Sequence, residues 1–128
     1  MFYASLVLGA LLAFVFVGAS RNKITKSMDD LAAAGLGWVK QTTPAVVRLI
    51  GVLELLGAIG VIAGPVAGQL FGWAWATALG LAAAAGLTLT MVVAAILHIV
   101  RGEFKYTWKM NLGLIVLALA DVIVIAYI

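Results

Sequence analysis

Polar positions are so sparse in this chain that they punctuate four apolar runs: Phe2 to Ser20, Pro44 to Gly64, Phe71 to Val100 and Thr107 to Ile128. Within each run, apolar side chains occupy every helical face instead of one stripe, as in a helix surrounded by lipid. Each run is close to or above the roughly 20 residues that cross a hydrocarbon layer. The pattern therefore predicts an all-α fold. It is a four-transmembrane-helix bundle, one integral membrane domain over residues 1–128, with a short amphipathic helix between the first and second spans. Pro44 suits the first turn of the second span, where its missing N–H would have no partner in any case. Gly64, Pro65 and Gly68 read as a short turn before the third span, which is long enough to tilt. Trp73, Trp75 and Tyr127 fall at one predicted interface and Trp38, Tyr106 and Trp108 at the other, as aromatic belts do. Between the first two spans, Ser27 with Asp30 three residues later resembles a capping box. Met28, Leu31, Ala32, Leu36 and Val39 follow at helical spacing. This helix either lies on the lipid surface or folds over the mouth of the bundle.

Charge adds orientation. All 8 Lys and Arg residues lie in two stretches, Arg21 to Arg48 and Arg101 to Lys109. Alternate connections of a four-span bundle share one side, and cytoplasmic loops are enriched in Lys and Arg. The expectation is an inner (plasma) membrane protein with loops 21–43 and 101–106 cytoplasmic and both termini outside. Val17-Gly18-Ala19 resembles a signal-peptidase site, but no positive charge precedes the first run, so it reads as a retained span. Orientation and attraction to anionic lipid explain the net charge of +3, and no nucleic-acid partner is implied. A hydrophobic fraction of 66% and a mean hydropathy of +1.22 are too high for a soluble domain of this length. The absence of cysteine removes disulfides and thiolate chemistry from the chain.

Small residues predict which helices approach closely. Gly57, Gly60 and Gly64 in the second span, and Gly80 with several alanines in the third, mark those two spans as an intimate pair. The GxxxG at Gly60 and Gly64 leaves open whether that contact lies within one chain or between two. Among polar residues, Glu54 stands out. It lies about 15 Å along the helix from Pro44, near the bilayer midplane, where a carboxylate must face the bundle, take a proton or find a partner. Asp121 is a second acid within a span, nearer the outer side, and reads as either interfacial or proton-linked. His98 is the only histidine, and one imidazole does not supply a bis-His haem or a multi-His metal site. Haem and metal are therefore not expected, while hydrogen bonding or proton relay is. Arg21, Lys23, Arg48 and Arg101 either extend to the interface or turn inward towards Glu54 or His98. The candidate ligand-binding or proton-linked set is thus Glu54, His98, Arg21, Lys23, Arg48, Arg101 and Asp121. No P-loop, nucleophile elbow or HExxH motif occurs, and no catalytic residue is assigned.

Three segments carry a family resemblance. Ile50-Gly51-Val52-Leu53-Glu54-Leu55-Leu56-Gly57-Ala58-Ile59-Gly60 resembles the second-span signature of DoxX-like proteins. Phe16-Val17-Gly18-Ala19-Ser20-Arg21 is similar to the end of that family's first span, with Arg21 at its usual lysine position, or Lys23 if the register differs. His98-Ile99-Val100-Arg101-Gly102-Glu103 is similar to the histidine and basic turn that close its third span. Asp121 matches no motif of the family. The resemblance implies a small four-helix membrane protein. Its relatives include subunits of quinol oxidase or redox complexes and a distant receptor-assembly chaperone. The expected function is a non-catalytic accessory, assembly or chaperone-like subunit, with membrane lipids and a larger membrane complex or a homo-oligomer as partners. The alternatives are a quinone- or lipid-binding subunit of a redox complex and a small transporter or lipid carrier.

Overall fold

A computed structural model describes residues 1–128. Four long helices run alternately up and down: α1 (Phe2–Thr25), α3 (Pro44–Phe71), α4 (Ala74–Val100) and α5 (Phe104–Ala126). The short α2 (Met28–Ala33) and a 3-10 turn (Gly37–Gln41) lie between α1 and α3. Each long helix is apolar and long enough to cross a membrane. Phe14, Leu89 and Val116 are 85%, 64% and 66% exposed on its outer surface. In water such a surface would drive association, and lipid solvates it. The interior is one apolar cluster of Leu12, Phe16, Ala58, Val61, Ala84, Leu87, Ala118 and Ile125, to which all four long helices contribute.

The spans differ from expectation at their ends. The second does not stop at Gly64. It continues to Phe71, with Gly64, Pro65 and Gly68 inside the helix, and the turn falls at Gly72, whose φ of +66° suits glycine. Packing against neighbours explains this. A methyl group on Gly64 would lie 2.5 Å from the Gly80 nitrogen and 2.6 Å from the Ala76 carbonyl oxygen, so Gly64 is the contact point between α3 and α4. Pro65 cannot donate to the carbonyl of Val61, four residues earlier. Gly9 of α1 approaches that same carbonyl, and a methyl group on Gly9 would lie 3.1 Å from it. A neighbouring helix thus packs over the group that the proline cannot bond. The third span begins at Ala74, not Phe71, and the fourth at Phe104, three residues earlier than expected. The first continues to Thr25, so Arg21 and Lys23 are helical residues.

The predicted intimate pair is present within one chain. Gly57 packs on Leu87, Gly60 on Ala83 and Gly64 on Gly80, so the GxxxG of α3 faces α4. The seam between α1 and α3 is also close. A methyl group on Gly51 would lie 3.0 Å from the Lys23 Cβ and 3.1 Å from the Ser20 carbonyl oxygen.

The connector after α1 forms the predicted cap, with the Ser27 hydroxyl accepting from the Asp30 N–H at 3.1 Å. Its apolar face does not lie on lipid. Leu31 and Val39 are buried against Val47 at the start of α3, with Met28, Ala32, Leu36 and Trp38 packed around them. An ion pair between Lys40 and Asp29 crosses the segment. At α3, the Thr43 hydroxyl accepts from the Val46 N–H and Pro44 occupies the first turn. Both basic stretches lie at one end of the bundle, here called the basic end, and both termini lie at the other.

Candidate functional site

The helical stripe that α1 turns inward is Ser5, Gly9, Leu12, Phe16, Ser20 and Lys23. Its last member meets the buried carboxylate of α3. Lys23 Nζ donates to Glu54 Oε1 at 2.9 Å and Oε2 at 3.0 Å, and the two side chains are only 11% and 5% exposed. Gly51, one turn before Glu54, admits α1 closely enough for the lysine to reach. Arg48, one turn earlier again, donates from Nη1 to the Lys23 carbonyl oxygen at 2.6 Å. That oxygen belongs to the last turn of α1, where helical carbonyls lack an intrahelical donor and partial negative charge accumulates. Arg48 therefore caps α1, and Lys23 reaches from the same turn into the bundle. Arg21 is exposed and makes no side-chain contact with the pair. A helix of 28 residues is about 42 Å long, which puts Glu54 about 5 Å to the basic side of its midpoint.

The candidate residues at the basic end form two groups. His98 and Arg101 do not join Lys23 and Arg48. Glu103, in the α4–α5 turn, accepts from Arg101 Nε at 2.9 Å, and its Oε1 lies 3.3 Å from His98 Nδ1. Arg101 Nη1 then donates to Gln41 Oε1 at 2.7 Å, tying the turn to the connector before α3. Sequence reasoning passed over Glu103. The available signal was an acid beside the sole histidine and an arginine in one tight turn. The hydrogen bond from Arg101, followed by that from His98, holds the Glu103 carboxyl below its ordinary value of 4.5. An acid with a depressed folded-state pKa adds stability that is complete above its unfolded value and lost as pH falls through the folded one. The stability difference between wild type and Glu103→Gln should therefore shrink as pH falls below the ordinary carboxylate value of 4.5. Unfolding in detergent through that acidic range checks this, and a difference that grows there would contradict it.

Asp121 belongs to neither group. It is 0% exposed, and no hydrogen-bond donor reaches either carboxylate oxygen. Its face of α5 also carries Ala118 and Ile125 of the central apolar cluster, so the carboxyl faces the interior of the bundle.

Two depressions of about 350 Å³ each mark the surface. One is an apolar groove between α1 and α3, lined by Ala13, Val17, Ala58, Ile59, Ile62, Ala63 and Val66. The other opens at the end carrying the termini, between Gly68, Gln69, Gly72, Ala74, Thr77 and Ile128.

Four apolar helices, two of them joined by a buried ion pair, with an outer surface suited to lipid, define a small polytopic integral membrane protein. The chain belongs to the DoxX-like family, which it matches over residues 7–121. That stretch contains Lys23, Glu54, His98 and Glu103 and ends at Asp121. No curated protein and no solved structure matches the chain.

Proposed function

We propose that this DoxX-like protein is a non-catalytic accessory or assembly subunit that docks against a larger membrane complex through its lipid-facing helices. The carrying observation is the closed Lys23–Glu54 pair. Both carboxylate oxygens of Glu54 are engaged by Lys23 inside the bundle, so the acid best placed for substrate chemistry holds α1 on α3 instead. The outer surface then remains for recognition. The α1–α3 groove is apolar throughout, with Ala13 and Ala63 low enough for a partner helix to approach closely. Gly60 cannot probe this contact, since it packs on Ala83 within the chain. Ala63, exposed in the groove, can. Ala63→Trp should leave the bundle folded and remove most of the partner that co-purifies from native membranes in mild detergent. Full retention of that partner would reject docking at this groove.

The same groove favours a second reading, a quinone- or lipid-binding subunit, because an isoprenoid or acyl chain also fits a wholly apolar channel of this size. In that case Ala63→Trp removes a co-purifying quinone or lipid, detected by mass spectrometry, and leaves the protein partner in place.

In this proposal the basic end faces the cytoplasm and both termini lie outside, supported by the restriction of all 8 Lys and Arg residues to that end. The chain has no cysteine, so single substitutions report topology cleanly. With an impermeant maleimide on intact cells, Gln69→Cys should label directly and Lys26→Cys only after permeabilisation. The reverse pattern would invert the orientation.

A further inference from the structure

Asp121 is the one buried charge-bearing side chain to which the fold supplies no partner. Its neighbours on α5 are Ala118 one turn below and Ile125 one turn above. Both belong to the apolar cluster that also holds Leu12 and Phe16 of α1 and Ala84 and Leu87 of α4. The ionisable residues of the packed helices do not answer it. On α1, Tyr3 is 80% exposed, Arg21 is exposed, and Lys23 is engaged by Glu54. On α4, His98 is engaged by Glu103 at the basic end. On α5 itself, Lys105, Tyr106 and Lys109 lie in the first two turns, and Tyr127, beyond the helix, is 74% exposed. On α3, Arg48 is bonded to the Lys23 carbonyl and Glu54 to Lys23. An ionised carboxylate in an apolar interior without a donor or a counter-charge costs far more than the neutral acid, which carries only the smaller cost of an unpaired polar group. A proton bound to the carboxyl removes the charge and with it the larger part of that cost.

Towards the end carrying the termini, Ile128, seven residues after Asp121 and just past the end of α5, forms part of the depression there. Gln69 and Thr77 give that depression its polar groups. Ile125, 2% exposed, lies between Asp121 and Ile128 along the chain and does not line the depression.

We propose that Asp121 is a proton-binding site of the bundle, carrying its proton at neutral pH and exchanging it with solution through the depression beside Ile128. This goes beyond the accessory reading, since it assigns a ligand, the proton, to a residue with no part in docking. Loss of that proton leaves a charge with no partner against the apolar cluster. Proton occupancy is thereby coupled to the packing of α5 on α1 and α4.

Infrared spectroscopy of the whole chain in lipid bilayers, with aspartate carbon-13 labelled at the side-chain carboxyl, tests this without requiring a variant. Of the three aspartates, Asp29 and Asp30 are exposed and contribute carboxylate bands. A labelled protonated-carboxyl band is expected from Asp121 at neutral pH. It should shift on transfer to deuterated water and be absent from Asp121→Asn. Ala74→Trp, at the rim of the depression, should slow the shift several-fold. A wild-type spectrum with carboxylate bands alone overturns the proposal, as does a protonated band that never shifts. A shift whose rate Ala74→Trp leaves unchanged overturns the route.

Discussion

Lys23→Met should destabilise the bundle by about 3–4 kcal/mol, and Glu54→Gln by clearly less. Breaking a buried ion pair leaves an uncompensated charge, which typically costs about 3–5 kcal/mol. The two halves of this pair have different means of escape. Without Lys23, the Glu54 carboxylate sits well inside α3 on a short side chain and cannot reach water. Its remaining option is to take a proton, which for a glutamate of ordinary pKa costs about 3–4 kcal/mol at pH 7 and so caps the penalty. Without the Glu54 charge, Lys23 lies two residues from the end of α1. Its long stem can swing the ammonium towards the basic end, as lysines near span ends do. The double variant Lys23→Met with Glu54→Leu should recover most of the loss, since replacing a whole buried pair by apolar groups is often neutral. Reversible unfolding in bicelles reads all three values. Equal stability of wild type and Lys23→Met would show that the pair does not hold α1 on α3.

Gly64→Leu should cost about 3 kcal/mol or more, or prevent the bundle from closing, because the new side chain meets backbone. Its Cβ alone would fall 2.5 Å from the Gly80 nitrogen and 2.6 Å from the Gly80 Cα, and neither can rotate aside. The helices must separate, and the neighbouring contacts at Gly60 and Ala83 separate with them. Gly86→Leu on α4 is the matched control. Nothing lies within 4 Å of a methyl group there, so the substitution should be neutral or slightly stabilising through helix propensity. Thermal unfolding in detergent compares the two. If Gly64→Leu melted like Gly86→Leu, the close α3–α4 seam would be wrong.

The four spans were legible because continuous apolar runs have few other uses, and the small residues of α3 and α4 pointed correctly to a close pair. What stayed hidden follows from the same composition. When every face is apolar, periodicity no longer distinguishes inside from outside, so the Gly-Pro at 64 and 65 read as a turn by the rules of soluble proteins. Its helical role depends on Gly80 and Gly9, residues far away in the chain. The partner of Glu54 was narrowed to a few cations, but Arg21 matched the family position and Lys23 was the alternative. The inward stripe of α1 separates them, since Lys23 continues the line through Leu12, Phe16 and Ser20 and Arg21 falls off it. That line could be drawn only once α1 was known to run to Thr25. Glu103 escaped notice because a turn acid between basic residues is ordinarily a solvated one. Its contact with His98 exists only because α4 ends at Val100 and the chain doubles back.

Lys23 and Glu54 both belong to the first two spans, so their opposite charges cancel within a hairpin that needs neither α4 nor α5. Synthesis runs from the N-terminus, so that hairpin, complete at Phe71, leaves the ribosome before the last two spans do. Each of these two spans alone would carry one of these buried charges into lipid, and together they bring them in as a pair. The ion pair thus removes the cost of inserting either charge singly before the later half of the chain assembles on the early half.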